Sequence, residues 1–227
     1  PRSHRKGGSV METAAFHTLL KRYGMFFVGL VIMSFGIACS IKAELGTSPV
    51  SSLPFVLRQF TPLSVGIASV LVNATLILLQ ILLLRRQYDP IQLIQLPVAL
   101  AFGFLTDFSV WVLQDITCSS YLTQWMLCIC GILLVGIGVS FEVTANVVTL
   151  AGEGMVLAIC KVFPVKFANA KVGMDLTLVT TAAVLSLLFL SELVGVREGT
   201  VAAAIFVGLT AKQVNRPLKR FADQYLA

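Results

Sequence analysis

The chain has 227 residues, of which 57% are hydrophobic and 12% are charged, and its formal net charge is +6. A soluble globular domain carries about 25% charged residues, so this composition excludes one. Several apolar runs approach or exceed about 18 residues, the length of a membrane-crossing helix, and no segment alternates apolar and polar residues as a membrane β-barrel does. We therefore predict an all-α polytopic membrane protein.

The first 20 residues form a polar and basic tail before the first apolar run. Residues 1–10 precede Met11, and they are either an expression remnant or a native basic tail; we favour the remnant. The first apolar run is long enough to span and is not followed by a small-residue cleavage site. We interpret it as a retained span and not as a signal peptide.

Six apolar runs are predicted to be membrane spans. In chain order they are Tyr23–Ile41, Ser64–Leu84, Ile94–Leu113, Leu122–Ala145, Val172–Leu190 and Gly199–Lys212. Two further segments, Ser48–Gln59 and Gly152–Phe163, are apolar but too short to span. Each follows a turn of small or polar residues, and we predict two re-entrant half-helices that enter and leave the membrane on the same side.

The second half of the sequence repeats the first. Three pairs of segments match: Gly29–Gly36 with Gly131–Gly138, Gly66 with Gly173, and Gly103 with Gly208. We predict repeat 1 over residues 21–116 and repeat 2 over residues 117–214, each with three spans and one half-helix, followed by a basic tail over residues 215–227. Membrane repeats with interrupted helices are typical of transporters whose solute site lies at the repeat interface.

The basic residues predict the orientation. They cluster before the first span, after the second, after the second half-helix and after the sixth span. With six spans and two re-entrant segments, all of these clusters lie on one side, which the positive-inside rule makes cytoplasmic together with both termini. Because each repeat has an odd number of spans, the two are inverted relative to each other. Eight full spans would put basic loops on both faces, so we favour the inverted 3+3 arrangement.

Glu142 lies inside the fourth predicted span, and Asn146 follows one turn later on the same helical face. A carboxylate near the bilayer centre costs about 2.5–3.5 kcal/mol on insertion scales, so it usually faces a cavity or a partner. We predict that Glu142 contacts solute or carries a proton. The alternative is that it is solvated by the turn after the span or clamps the irregular backbone there.

The starts of the two half-helices are predicted to hold the solute. Glu153 lies between Gly152 and Gly154 at the start of the second one. A helix start has unpaired amides and a positive partial charge that attract anions, although Glu153 could also cap that helix itself. The first half-helix begins with hydroxyl side chains that either bind solute or cap the helix. These are Thr47, Ser48, Ser51 and Ser52.

Two other polar residues are candidates for the pathway. Arg197, at the start of the sixth span, is predicted to balance a carboxylate or phosphate; alternatively it lies at the interface with its charge in the headgroup region. Asn73 in the second span either lines the pathway or bridges helices. Asp107 and Asp175 are nearer to span ends, and we expect both to be structural.

Enzymatic readings have little support in the sequence. His17 is the only histidine besides His4, so we expect neither a Ser/His triad nor a two-histidine metal site, and no Walker A or dinucleotide-binding glycine pattern is found. The five cysteines mostly lie in apolar runs without a C-x-x-C pair, which predicts buried core residues. We expect no catalysis, metal or cofactor and no nucleic-acid partner. The expected partners are the lipid bilayer, a small-molecule solute and a second copy in a homo-oligomer.

Four segments resemble the YczE/YyaS/YitT group of bacterial membrane proteins, and these are Ala43–Pro54, Asn146–Val148, Gly152–Gly154 and Val196–Thr200. The resemblance extends from about Lys21 to Asn215. Because the soluble C-terminal ligand-binding domain of the YitT-type branch is missing, the chain is most similar to the compact YczE-like branch. The resemblance implies a protein of the bacterial cytoplasmic (inner) membrane, commonly described as a transporter candidate. It supplies neither a substrate nor site residues.

The sequence as a whole predicts a secondary transporter of a small polar solute, anionic or zwitterionic, that works by alternating access at the repeat interface. Glu142 or Glu153 is the predicted proton carrier. Three alternatives stay open: a channel or facilitator, a substrate-binding subunit of an energy-coupling transporter, and a membrane regulator that transports nothing.

Overall fold

The computed structural model describes residues 4–225, with side chains described for residues 18–222 and 224. Residues 1–3 and 226–227 of the two predicted tails lie outside it. The described residues form helices and loops without a strand. The eight α-helices are α1 (His4–Ala43), α2 (Pro49–Phe60), α3 (Val65–Leu84), α4 (Gln95–Val112), α5 (Tyr121–Ala145), α6 (Ala151–Val162), α7 (Phe167–Leu190) and α8 (Glu198–Tyr225). Two 3₁₀ turns, Arg85–Gln87 and Pro90–Ile94, join α3 to α4.

Five of these helices are long and apolar enough to cross a membrane. Their apolar segments are Thr18–Ala43, Val65–Gln87, Pro90–Val112, Tyr121–Ala145 and Phe167–Leu190. A multi-pass membrane protein is thereby confirmed. The sixth predicted span falls in α8, whose charge-free stretch from 199 to 211 covers only about 20 Å before Lys212. That is less than the hydrocarbon thickness of about 30 Å, so length and composition alone do not make α8 a span.

The two segments predicted as half-helices form the short helices α2 and α6, of 12 residues each. Such a helix is about 18 Å long. Pro49 opens α2, where its missing N–H leaves no helical hydrogen bond unmade. Short helices with these bounds agree with the predicted segments to within one residue.

Contacts between loops define two ends of the bundle. At the end where α1 finishes, Lys42 Nζ donates to the Gln114 carbonyl, which follows α4, at 2.9 Å. At the opposite end, Lys161 Nζ near the end of α6 donates to the Gln87 carbonyl, which follows α3, at 3.1 Å. We name these the α1 end and the α6 end. Just before α2, Thr47 N donates to the carbonyl of Gly195 in the α7–α8 loop.

α1 and α5 form the centre of the bundle. Gly36 of α1 faces Gly131 of α5 so closely that a Cβ on Gly36 would lie 2.8 Å from the Gly131 carbonyl oxygen. Small residues allow membrane helices to approach in this way. α4 packs on α1 and α8 packs on α5, while α2 lies against α7 and α6 lies against α3. Each short helix therefore packs on a long helix of the other half of the chain.

Candidate functional site

A cavity of about 290 Å³ lies where the starts of α2 and α6 meet. Most of its wall is apolar and comes from α1, α3, α4, α5 and α8, including Met33, Phe102 and Val135. The polar side chains on its lining are Ser48, Ser51, Ser69, Asn73, Glu142, Glu153, Lys171 and Asp175. Cavities of roughly 300–1,000 Å³ with a few convergent polar groups are typical of small-molecule sites.

Glu142 and Glu153 form the charged part of the lining. Glu142 is 2% exposed, and its Oε1 accepts a hydrogen bond from the Leu150 N–H at 3.0 Å. This bond holds the start of α6 against α5. Its Oε2 is buried and has no hydrogen-bond partner among the described residues. The Glu153 side chain lies close enough for the two carboxyl groups to interact. Both interpretations of Glu142 therefore have a structural counterpart: one oxygen clamps the backbone, and the residue also belongs to the cavity lining, with its other oxygen buried.

Lys171 and Asp175 add a second charged pair at the beginning of α7. Lys171 Nζ lies 2.7 Å from Asp175 Oδ1, one helical turn away. Both side chains are partly exposed, which fits a position at the mouth of the cavity. The sequence predicts a structural role for Asp175, and it places Lys171 only among the basic residues that follow the second half-helix. An i,i+4 pair of opposite charges at a helix start looks like a solvated surface pair, so no sequence signal separates it from one.

Only some of the hydroxyl residues at the start of α2 face the cavity. Ser48 and Ser51 line the cavity, and their hydroxyl oxygens are 2.6 Å apart. The Ser52 hydroxyl instead donates to the Pro49 carbonyl at 2.8 Å and is fully buried in the helix packing. Thr47 is also buried, and its backbone binds the α7–α8 loop away from the lining. Two of the four predicted hydroxyl residues are thus brought to the cavity.

Of the other residues predicted for the site, some line the cavity and others lie outside it. Asn73 and Gly152 line the cavity. Asn146 ends α5 in a left-handed conformation, with φ of 49°, and is exposed. Gly154 lies against the amide of Gln80, whose Nε2 donates to the Ala151 carbonyl at 3.0 Å and so holds the start of α6.

Arg197 lies at the α1 end, outside the cavity lining. Its Nη1 donates to the Glu44 carbonyl at 3.0 Å, and its Nη2 lies 3.2 Å from Glu198 Oε1. The backbone amide at the start of α8, together with Arg197, lowers the pKa of the Glu198 carboxyl. Arg197 therefore braces the loop before α2 against the start of α8.

The interface between α3 and α4 differs from the corresponding interface between α7 and α8, and we call each of these interfaces a seam. Between α3 and α4, a Cβ on Gly103 would lie 2.7 Å from the Gly66 carbonyl oxygen. Asp107 closes this seam by accepting hydrogen bonds from the Ser64 hydroxyl at 2.5 Å and the Gly66 N–H at 2.8 Å. This arrangement, which we call the Asp107 latch, joins the two helices at the α1 end.

The corresponding seam between α7 and α8 is open. Gly173 matches Gly66 in the sequence repeat and Gly208 matches Gly103. A Cβ on either would have no described atom within 4 Å, and no packing comparable to that of α3 on α4 joins α7 to α8 in the described part of the chain. Gly208 and Ala204 are exposed and also line the cavity, so the cavity opens between α7 and α8.

Comparison with known proteins supports the resemblance drawn from the sequence. The profile of a family described as "Family of unknown function (DUF6198)" matches residues 20–216. The "Uncharacterized protein YyaS" of Bacillus subtilis (strain 168) is 30% identical over 118 residues, covering 52% of this chain but only 57% of YyaS. The "Uncharacterized membrane protein YczE" of the same organism is 26% identical over 194 residues, 84% of each chain. No solved structure matches the chain.

Proposed function

We propose that this chain, which belongs to the DUF6198 family of unknown function, is a secondary transporter. The proposal rests on the geometry of the structure. The protein moves a small polar solute by alternating access and catalyses no reaction. In this proposal α8 is the sixth span, and α2 and α6 are re-entrant. The two repeats are inverted, and both termini lie on the cytoplasmic side of the bacterial inner membrane.

The observation that carries the proposal is the difference between the two seams. An inverted-repeat transporter alternates by exchanging the conformations of its two halves. Gly66 and Gly103 are in contact across a closed seam, whereas their counterparts Gly173 and Gly208 face open space. In one end state of such a cycle, the matched seams of the two repeats are expected to differ, with one closed and the other open. The other state would close α7 on α8 and release the Asp107 latch.

The orientation supports the same reading. The open seam exposes the cavity near the beginning of α7, which is reached from the α6 end. This end holds the basic residues Arg85, Arg86 and Lys161, so the positive-inside rule makes it cytoplasmic. The closed seam belongs to the opposite end. We therefore assign the structure to an inward-facing state.

The cavity supplies the groups that binding and coupling need. Glu142 and Glu153 are neighbours, and two adjacent carboxyl groups readily hold one proton between them. Either can then release it when the cavity changes sides. Because carboxylates outnumber cations on the lining, a net anion is the less suitable of the solute classes expected from the sequence.

Distance measurements with paired spin labels test alternating access without knowledge of the solute. One pair is placed at Ile67 and Phe104 across the closed seam, and the other at Leu176 and Leu209 across the open seam; all four side chains are at least 49% exposed. The native cysteines that are exposed or partly exposed, Cys118, Cys130 and Cys160, are replaced first. We expect the α7–α8 distance to shorten whenever the α3–α4 distance lengthens.

Two perturbations make the result decisive. Gly66→Ala forces the closed seam apart, and acidification favours protonation of the Glu142–Glu153 pair. Opposite movements of the two label pairs in reconstituted lipid would support a transporter. Distances that stay single and unchanged under both perturbations would contradict alternating access and leave the channel, the energy-coupling subunit and the regulator as the readings to pursue.

A further inference from the structure

We infer that the cavity binds a protonated primary amine with an apolar body, and that this ligand and a proton compete for the Glu142–Glu153 pair. The inference rests on the proposed function for the existence of an exchanging site. It goes further in naming the chemical class of the ligand and the group that it displaces.

The charges on the lining favour a cation. Four charged side chains face the cavity within the described residues: Glu142 from α5, Glu153 from α6, and Lys171 with Asp175 from α7. Lys171 is paired with Asp175 across 2.7 Å, and its charge also acts on Glu142 and Glu153. Three carboxyl groups therefore share one cation, and a bound ammonium group or a proton would supply a second.

The hydrogen-bonding capacity of the lining favours an N–H donor. When the carboxyl pair holds no proton, the buried Glu142 Oε2 has no donor among the residues described, although buried polar atoms are normally paired. Further acceptors on the lining are the hydroxyl oxygens of Ser48 and Ser51. A primary ammonium group has three N–H donors for these oxygens. A quaternary ammonium has none and is usually held by several aromatic rings, whereas Phe102 is the single aromatic residue of the described lining.

The remaining wall favours an apolar body and argues against a ligand carboxylate. Most of the remaining lining is apolar and includes Met, Ile, Val and Leu side chains such as Met33, Val72 and Val135. Lys171, the cation available in the described lining, is already bound to Asp175. The mouth between α7 and α8 is flanked by exposed apolar side chains, including Val172 and Ile205. These apolar side chains at the mouth suit the apolar body of such an amine.

Thermal-shift measurements on the detergent-purified full chain test the inference, with n-hexylamine as the probe. Hexanoate has the opposite charge, and hexyltrimethylammonium lacks N–H donors. We expect n-hexylamine to raise the unfolding temperature, since a ligand of the native state stabilises it, and the other two to do so weakly or not at all. Between pH 8 and pH 5 the apparent affinity should fall by about tenfold per pH unit at most, as for one proton competing with one ligand.

Three variants distinguish n-hexylamine binding in the cavity from an effect of n-hexylamine on the detergent micelle. Glu153→Gln should abolish the n-hexylamine shift, whereas Asp115→Asn, which removes an exposed carboxylate outside the lining, should leave it unchanged. Gly208→Leu adds a side chain at the mouth, where its Cβ meets no described atom within 4 Å, and it keeps both carboxyls, so it should weaken the shift even if Glu153→Gln fails to fold. An n-hexylamine shift that persists in Glu153→Gln and Gly208→Leu, or a hexanoate shift of equal size, would overturn the inference.

The two proposals can fail separately. Binding of n-hexylamine with fixed distances across both seams would retain the ligand class and reject alternating access. Seams that exchange while n-hexylamine produces no shift in the wild-type chain would retain the transporter and reject the amine.

Discussion

Replacing Gly66 by alanine tests the seam in a single protein, because Gly173 offers a matched control. Gly66 is the second residue of α3 and is buried against α4. A Cβ there would collide with the Gly103 carbonyl oxygen and lie 2.5 Å from Asp107 Oδ2. The first of these neighbours is backbone and cannot rotate away. Gly173→Ala adds the same methyl group to α7, where it meets no described atom within 4 Å.

The expected difference follows from two opposing effects. Forcing an extra carbon into a packed interface costs about 1–3 kcal/mol, and any weakening of the hydrogen bonds to Asp107 increases that cost. Alanine gains about 0.8–1.0 kcal/mol over glycine inside a helix, and the gain is smaller at Gly66 because that residue lies in the first turn. We expect Gly66→Ala to destabilise the closed seam by about 1–3 kcal/mol. Gly173→Ala should range from neutral to about 1 kcal/mol stabilising.

Thermal unfolding of both variants in one detergent provides the measurement. For a chain of this size, about 1 kcal/mol moves the unfolding temperature by about 2–4 °C. Gly66→Ala should therefore unfold several degrees below the wild type, and Gly173→Ala at or slightly above it. Equal unfolding temperatures for the two variants would refute the reasoning, because the seams would then be equally open.

Three further substitutions test individual contacts. Glu142→Ala removes the acceptor of the buried Leu150 N–H and should cost about 1–3 kcal/mol in thermal unfolding, whereas Glu142→Gln keeps an acceptor and should cost less than half as much. Asn146→Ala should cost about 1–2 kcal/mol because φ is 49° there, and Asn146→Gly should be close to neutral; equal losses would reject the backbone explanation. Arg197→Gln should reduce stability by at most about 1 kcal/mol and leave n-hexylamine binding unchanged, since Arg197 is exposed and pairs with Glu198 outside the cavity. Loss of binding in that variant would place Arg197 in the site after all.

Helix positions could be predicted well wherever a long apolar run decides the structure. The predicted span Ser64–Leu84 begins one residue before α3 and ends with it, because a continuous apolar run can be satisfied in a membrane only as a helix. The prediction was less accurate at α7, which begins at Phe167 and not at Val172. There the first turns contain Lys171 and other polar residues, and hydropathy does not register a helix that continues beyond its apolar part.

The site was predictable at the level of segments and not of side chains. The repeat indicated that the starts of α2 and α6 would meet, and both line the cavity. The direction of each hydroxyl depends on the rotation of α2 about its axis, which packing against α7 and α3 decides. Ser51 thus faces the cavity while its neighbour Ser52 is buried. For the same reason, composition alone could not reveal that Lys171 reaches the mouth.

The predicted repeat places different side chains at the closed and the open seam. The offset that aligns Gly66 with Gly173 aligns Ser64 with Lys171, and the offset that aligns Gly103 with Gly208 aligns Asp107 with Lys212. The positions of the Asp107 latch are therefore occupied by two lysines in the second repeat. Two lysines cannot reproduce a hydroxyl–carboxylate hydrogen bond, because an ammonium group has no acceptor. In the proposed alternating-access cycle, these four side chains favour the state in which the cavity opens between α7 and α8.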